Sequence, residues 1–269
     1  MLNNVIEVGR NKNAPFIAIG DESHHENIIT YAYVILPRIR INKIKRELSR
    51  AYSVYGIPKH LVFHCKDFFS GQFRLRNGLN RLSRQDILKI IHHFITIMND
   101  QGIYIRVAYT DHNHSRAEFS KQESITLRNN AGTQEVEHPL KYDIKGVQAT
   151  LAKACWGNAP NGPHGPTEID CQIFVSPDQT KVKFMGEQSR QMHNLIPGYS
   201  EITSPAGFIN HIKPEILTED LFELQGIADI AAYLFAHSLP PEHVNNAEFS
   251  DASKRIKYRS ITTLRFDLS

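Results

Sequence analysis

The chain has 269 residues, of which 41% are hydrophobic and 22% charged, and its 31 basic and 28 acidic side chains give a formal net charge of +3. This is the composition of an ordinary globular protein, which excludes a collagen-like, low-complexity or wholly disordered chain. The net charge is too small to indicate nucleic-acid binding by itself, so the positions of the basic residues matter more than their number.

The chain contains 14 histidines but only 3 cysteines. Imidazole binds metals and carries protons near neutral pH, so the histidine excess needs an explanation. The cysteines are far apart and form no Cys-x-x-Cys pair, which argues against a disulfide scaffold and favours a reducing compartment. No apolar run approaches the roughly 18 residues of a membrane helix, and no signal-peptide pattern begins the sequence. We therefore expect a soluble, cytoplasmic protein with no membrane partner.

The predicted strands are short apolar runs that are rich in β-forming residues and bounded by polar turns. They cover 16–20, 28–36, 61–63, 103–109, 169–175 and 207–212. The predicted helices follow the helical spacing of apolar side chains, and the hydroxyl of Ser83 can cap one of them. They cover 41–55, 84–100, 143–156, 187–195 and 221–239. Strands that alternate with helices predict an α/β fold in which helices cover a sheet.

We expect one domain, residues 1–269, because the sequence contains no internal repeat and no convincing linker. The stretch 158–167 is dense in Pro and Gly and is typical of a surface loop. The core is expected over about 14–240, followed by a polar, basic C-terminal extension at 247–269.

Acidic residues follow three of the predicted strands. Asp21 and Glu22 come directly after the first strand, Asp111 follows the strand at 103–109, and Asp178 comes shortly after another. A carboxylate at the end of a buried strand is rigidly held at a sheet edge, where α/β folds bind ligands. Aspartate is also a common turn residue, which is the alternative for each position taken alone. If the strands are neighbours, the carboxylates gather at one end of the sheet.

Asp229 lies in the most apolar predicted helix, 221–239, and is the only charged side chain of its segment 224–235. A helix that is apolar nearly all round is normally buried. A buried carboxylate is costly unless it meets a cation, a hydrogen-bond donor or a metal. Gln225 and Tyr233 lie one turn to either side and could assist it. A neutral or arginine-paired core aspartate is the alternative.

The histidines offer a competing metal site. Candidate ligands for zinc or another transition metal are His24, His25, His64, His92, His93, His112 and His114. Their spacing is not that of a structural zinc site. Three of them, His24, His25 and His64, lie near the acidic segments and could move protons or contact phosphate.

Basic residues form clusters along the chain. Lys43, Arg46 and Arg50 share one face of a predicted helix, and Arg74 and Arg76 follow a group of phenylalanines. A further basic group lies within the C-terminal extension. Phosphate neutralisation combined with aromatic stacking is how proteins hold single-stranded nucleic acid. A solvated helix face is the alternative for each cluster.

The motif Asp21-Glu22-Ser23, the hydrophobic strand after it and the late helix with Gln225 and Ala228-Asp229-Ile230-Ala231 resemble a prokaryotic and phage family, domain-of-unknown-function family 3800. The resemblance spans roughly 14–240. It implies a ribonuclease H-like fold, a mixed sheet flanked by helices, with a carboxylate cluster that binds divalent metal.

Residues carry over from this resemblance by position. Asp21 and Glu22 match the first motif, Asp229 the last, and Asp178 an acidic position after a middle strand. His24 stands where the family has glycine. His64-Cys65-Lys66-Asp67 stands where an acidic–lysine pair is expected, which makes Lys66 and Asp67 further candidates for the site. Ser23, His64, Asp111 and Gln225 complete the supporting set.

These expectations lead to a metal-dependent nuclease acting on RNA or DNA. Carboxylate oxygens suit Mg²⁺ or Mn²⁺. Two such ions roughly 3.5–4 Å apart activate water and stabilise the leaving oxygen of a phosphodiester. A role in phage defence or a mobile element would suit such a family. The alternatives are a non-catalytic nucleic-acid or protein-binding module on the same fold, and a histidine-rich metalloenzyme with a small substrate. The oligomeric state is not predicted.

Overall fold

The computed structural model describes residues 7–8, 11–113, 116, 124–129, 131–139, 144–156, 171–176, 199–201, 211–212, 214–238 and 247–263. The predicted loop at 158–167, the predicted helix at 187–195 and Asp178 lie outside the described residues.

The described chain contains both strands and helices. The strands are β1 (Glu7–Val8), β2 (Phe16–His25), β3 (Ile28–Pro37), β4 (Tyr104–Asp111), β5 (Ser124–Asn129), β6 (Glu135–Pro139), β7 (Cys171–Val175), β8 (Tyr199–Glu201), β9 (His211–Ile212), β10 (Glu215–Ile216) and β11 (Tyr258–Thr263). The helices are α1 (Ile41–Tyr55), α2 (Cys65–Phe69), α3 (Gly71–Arg76), α4 (Arg84–Asp100), α5 (Ile144–Ala154), α6 (Phe222–Ser238) and α7 (Ala247–Lys254).

A six-stranded mixed sheet in the order β10-β7-β2-β3-β4-β11 is the centre of the molecule. β3 is antiparallel to its two neighbours, β2 and β4, whereas β7 runs parallel to β2 and β10 parallel to β7. Two smaller sheets accompany it, the pair β1-β9 and the three-stranded β6-β5-β8. The protein is therefore mixed α/β, with a mixed sheet flanked by helices.

The two faces of the sheet are buried against different helices. On one face Ile17, Ile19 and Val34 pack against apolar side chains of α1, α4 and α6. On the other face Ala18 and Tyr33 pack against α5. Consecutive strand residues point to opposite faces, so each strand in the middle of this sheet is apolar on both.

β2 is longer than its apolar run predicts. The strand was expected to end at Gly20, but it continues to His25 because β3 pairs with it along its whole length. The turn is made at Glu26, whose φ of 51° is left-handed. The parallel partner β7 ends earlier, with Val175 opposite Gly20. Asp21 therefore lies within a β-hairpin, immediately beyond the point where β7 leaves the sheet.

The helix predicted after Ser83 is confirmed as α4, and its cap is the predicted one. The Ser83 hydroxyl oxygen accepts the backbone N–H of Asp86 at 3.2 Å, and the Asp86 carboxylate accepts the backbone N–H of Ser83 at 3.0 Å. This reciprocal pair is a capping box, which satisfies two N–H groups that the first turn leaves without partners.

The C-terminal segment belongs to the main sheet rather than to a separate extension. β11 adds to the edge of the sheet beside β4, and Phe249 and Ile256 are buried. Most side chains of β11 are polar, so its sequence gives little indication of a strand.

The short strand predicted at 61–63 does not form; that segment is irregular, with Phe63 buried. In the described part of the chain, no helix is both long and apolar enough to cross a bilayer.

Candidate active site

Asp21 is a buried carboxylate on the α6 side of the sheet. Its residue is only 3% exposed, and it follows Ile17 and Ile19 on the same face of β2. The backbone N–H of Glu22 donates to Asp21 Oδ1 at 3.1 Å. The strand period places it toward the helix, so its side chain is part of a packed interface and not of the turn that was the alternative for this position.

Gly226 allows α6 to approach the segment that precedes α2. A Cβ atom at this position would lie 3.0 Å from both the Cβ and the carbonyl oxygen of Phe63, a contact that requires the neighbour to shift. Without a side chain there, the helix packs on the backbone of Phe63 itself. The next turn of α6 therefore brings Asp229 against the residues that follow Phe63.

Asp229 is 5% exposed and is held by that segment. The backbone N–H of Cys65 donates to Asp229 Oδ2 at 2.6 Å. Nε2 of His64 lies 3.2 Å from Asp229 Oδ1, and Nδ1 of the same ring lies 3.7 Å from Asp67 Oδ2, too far for a hydrogen bond. Both oxygens of Asp229 thus have partners, and the His64 ring stands between two carboxylates.

The charge of Asp21 affects the protonation of Asp229. Burial, and then the negative charge of Asp21, raise the pKa of Asp229 to about 6, while His64 and the N–H of Cys65 act to lower it. The same surroundings raise the pKa of the Cys65 thiol, through burial first and then the charges of Asp229 and Asp21. Two like charges in a buried position are unfavourable unless a proton or a cation neutralises them.

Glu22 lies on the opposite face of β2 from Asp21. It is paired across the hairpin with Tyr31, and Tyr31 packs on the α5 side. Burial, then neighbouring Tyr33 and the charges of Glu22 and Asp21, raise the pKa of the Tyr31 hydroxyl. Adjacent strand residues point to opposite faces, so the structure does not bring Glu22 to the Asp229 side of the sheet.

Asp111 and His24 lie toward the tip of the β2–β3 hairpin. Asp111 pairs with Ile28, four residues farther along the sheet than the row that contains Asp21, which is about 13 Å of strand. His24 is exposed, on the α5 face of β2, with its ring 5.7 Å from that of His112. The structure leaves both residues apart from Asp21 and Asp229.

The remaining supporting candidates are distributed around the site. Ser23 is half-buried, two residues beyond Asp21 on the same face of β2. Gln225 is half-buried on α6, one turn before Asp229, whereas Lys66 is exposed on α2. Asp178 lies outside the described residues, but β7, the strand before it, ends beside Gly20.

The described residues fit a divalent ion only in part. They contain no group of three or more His, Cys, Asp or Glu side chains arranged to hold a metal. Asp21 and Asp229 are hard oxygen donors of the kind that Mg²⁺ and Mn²⁺ prefer, and their mutual repulsion would be relieved by a cation. The described chain therefore offers two carboxylates toward such a site.

Sequence reasoning missed the backbone N–H of Cys65 as a partner of Asp229. A backbone donor carries no residue-type signal, and 164 positions separate Cys65 from Asp229. It also missed that His237 continues the face of α6 that carries Asp229 and Tyr233, although the four-residue spacing is visible in the sequence.

The basic residues lie on the helical surface. Lys43, Arg46 and Arg50 are exposed on α1, and Arg76 is exposed at the end of α3. The guanidinium of Arg74 instead donates to the backbone carbonyl of Phe68 at 2.6 Å and is half-buried. The α1 residues thus present a basic face, which we call the α1 basic face, while Arg74 closes the end of α2.

In comparisons with protein-family models, with curated protein sequences and with solved structures, the chain has no significant match.

Proposed function

We propose that this protein is a divalent-metal-dependent nuclease on a ribonuclease H-like domain, and that it hydrolyses phosphodiester bonds in RNA or DNA. Asp21 and Asp229 are its central residues. The resemblance to domain family 3800 supports the assignment through the motifs at Asp21-Glu22-Ser23 and Ala228-Asp229-Ile230-Ala231.

The strand order supports the proposed fold. Three consecutive strands form an antiparallel meander, β2 to β4, and β7 and β10 then extend the sheet in parallel on the other side of β2. Open α/β sheets bind their ligands beyond the carboxyl ends of parallel strands. Here that edge is the end of β7, and Asp21 lies directly beside it on β2.

The observation that carries the proposal is the pair of buried aspartates on one face of the sheet. Asp21 is 3% exposed and Asp229 5% exposed, and the charge of the first raises the pKa of the second. Protein cores rarely keep such a pair without a use, because it costs stability. A buried carboxyl group whose pKa is raised by a second carboxylate is typical of functional sites.

Asp21 and Asp229 would hold the metal, with further ligands from outside the described residues; Asp178 is the candidate, because its strand ends beside them. When bound, Mg²⁺ or Mn²⁺ would supply a water-activating and charge-neutralising centre at the phosphate.

Neighbouring residues of the chain orient the carboxylate of Asp229, which would bind the metal. The N–H of Cys65 holds Asp229 Oδ2 at 2.6 Å and so fixes the plane of the carboxylate. His64 Nε2, 3.2 Å from Asp229 Oδ1, belongs to a side chain that is 45% exposed, so it can hold a proton at the edge of the site. Burial by α6 excludes water from behind the pair.

Metal dependence tests the proposal directly. We expect labelled single-stranded RNA or DNA to be cleaved with Mn²⁺ or Mg²⁺, and cleavage to stop in excess EDTA and return when Mn²⁺ is restored. Calorimetric titration with Mn²⁺ alone provides a second measurement that does not require the correct substrate. Cleavage that survives chelation, or the absence of Mn²⁺ binding, would contradict the proposal.

The α1 basic face favours a second candidate, a non-catalytic module that binds nucleic acid. Its three cations are exposed on one helix, as phosphate contacts require. Binding by such a module would be independent of Asp21 and Asp229, whereas a nuclease needs both the basic face and the aspartates.

The role of the α1 basic face is measurable through salt dependence. Replacing Lys43, Arg46 or Arg50 singly by Ala should reduce the slope of log K against log salt by about 0.7–0.9 per lost phosphate contact. Fluorescence anisotropy with a labelled oligonucleotide measures this slope. Lys12→Ala, an exposed lysine before β2, is the matched control and should leave it unchanged. Equal slopes for all four variants would show that α1 is only a solvated surface.

A further inference from the structure

Four aromatic rings form a column that begins one turn of α6 beyond Asp229. The Tyr233 and His237 rings stack with centroids 3.8 Å apart, and His237 and His25 stack at the same 3.8 Å. Phe69, from α2, lies nearly parallel to Tyr233 at 5.9 Å. The column therefore joins α2, α6 and the end of β2.

The column is rigidly supported from the side. Phe249 of α7 meets the rings of Phe69, Tyr233 and His237 edge-on, at 5.3, 5.5 and 5.5 Å. Nδ1 of His237 lies 2.8 Å from the carbonyl oxygen of Tyr233. Burial lowers the pKa of His237 to about 4, so this ring stays neutral at neutral pH. A preformed, neutral stack costs little ordering entropy when another ring is added to it.

His25 forms the outer end of the column. Its side chain is 41% exposed, whereas the ring beneath it is largely buried, and its Nε2 lies 3.9 Å from the carboxylate of Glu26. It lies four residues beyond Asp21 on the same face of β2, a separation of about 13 Å along the strand. A partly exposed ring thus lies on the same side of the sheet as the two aspartates, separated from Asp21 by that distance.

We propose that His25 is the stacking platform for an unpaired base of the nucleic acid whose phosphate a metal at Asp21 and Asp229 would bind, and that the protein therefore selects single-stranded substrate. This inference rests on the proposed function. Every base has a π-face, so such a platform accepts any sequence. A base within a duplex is stacked on both faces and cannot use it without unstacking.

The test combines protein variants with oligonucleotides that lack one base. A series of single-stranded oligonucleotides, each with one abasic position, is cleaved by the wild type, His25→Ala and His25→Phe in Mn²⁺. The wild type should show KM raised roughly 5- to 150-fold at one position relative to the scissile bond, the range of one stacked base, with kcat little changed. His25→Ala should have the higher KM on every substrate and lose the discrimination at that position, and His25→Phe should retain it.

The controls separate this inference from the proposed function. His60→Ala removes another exposed histidine and should behave as the wild type. If the wild type cleaves in a metal-dependent manner but His25→Ala keeps the same abasic profile, the stacking platform is overturned and the nuclease stands. If the wild type neither cleaves nor binds nucleic acid in Mn²⁺, the nuclease itself is overturned, and the platform with it.

Discussion

Replacing either Asp21 or Asp229 by Asn should abolish metal-dependent cleavage, with a loss of about a thousandfold or more in kcat/KM. The substitution keeps the shape of the side chain but removes the negative charge that would bind the metal, which is worth several kcal/mol at the transition state. In Asp229→Asn the amide carbonyl oxygen can still accept the Cys65 N–H, so the fold should be preserved. Cleavage of a labelled oligonucleotide measures the loss, and circular dichroism confirms the fold.

Asp100→Asn is the matched control for these variants, because Asp100 is an exposed aspartate at the end of α4. It should cleave as the wild type does. Glu22→Gln is informative for a different reason: the sequence motif joins Glu22 to Asp21, whereas the strand places it on the other face. Undiminished cleavage by purified, folded Asp21→Asn or Asp229→Asn would refute the assignment.

Asp229→Asn should also change how stability depends on pH. The folded-state pKa of Asp229 is raised from its ordinary value near 4 to about 6, so the folded protein binds this proton more tightly than the unfolded chain. The resulting stabilisation is complete below about pH 4 and is lost as the pH rises toward about 6. Above that, the metal-free wild type carries a buried negative charge that costs roughly 2–3 kcal/mol.

We therefore expect Asp229→Asn to be more stable than the metal-free wild type at pH 8 and no more stable at pH 4. Urea unfolding at both values, in EDTA, measures the difference. Saturating Mn²⁺ should then raise the stability of the wild type at pH 8 but not that of the variant, because a ligand stabilises only the state that binds it. A difference between the two proteins that does not vary with pH would contradict a raised pKa for Asp229.

This pattern would mark Asp229 as a residue kept for activity at the expense of stability. Functional sites commonly hold groups in surroundings that destabilise the fold without ligand. The alternative from the sequence, a neutral or arginine-paired core aspartate, predicts the opposite: removing its charge would bring no gain at pH 8. In the structure the partners of Asp229 are a backbone N–H and His64.

Much of the fold is visible in local sequence patterns. The apolar run at 16–20 predicted the start of β2, and the helical spacing predicted α1 and α4 together with the Ser83 cap. β11 escaped prediction because an edge strand packs few side chains, so its polar sequence lacks a hydrophobic pattern. The full length of β2 was not predicted either, because pairing with β3 in the hairpin, and not the hydrophobicity of β2 itself, extends the strand to His25.

The histidines, which are numerous in this chain, lie in different parts of the structure. His64 contacts Asp229, and His25 and His237 stack beside the site, whereas His24 lies on the other face of β2. His64 lies against the buried carboxylate of Asp229. Nε2 of His25, which the sequence also linked to the acidic segments, lies 3.9 Å from the carboxylate of Glu26. For the other histidines, the face of the strand or helix on which each one lies decides whether it is on the side of the site.

By itself the sequence determined that a strand followed by two acidic residues, and an apolar helix with one aspartate, are present, because periodicity and composition are local properties. The tertiary structure alone decided which carboxylates meet. Strand alternation separates Glu22 from Asp21, and Gly226 lets α6 close on Phe63 so that Asp229 reaches the Cys65 N–H. Contacts between residues this far apart in the chain depend on how the sheet and helices pack, and no local pattern encodes that packing.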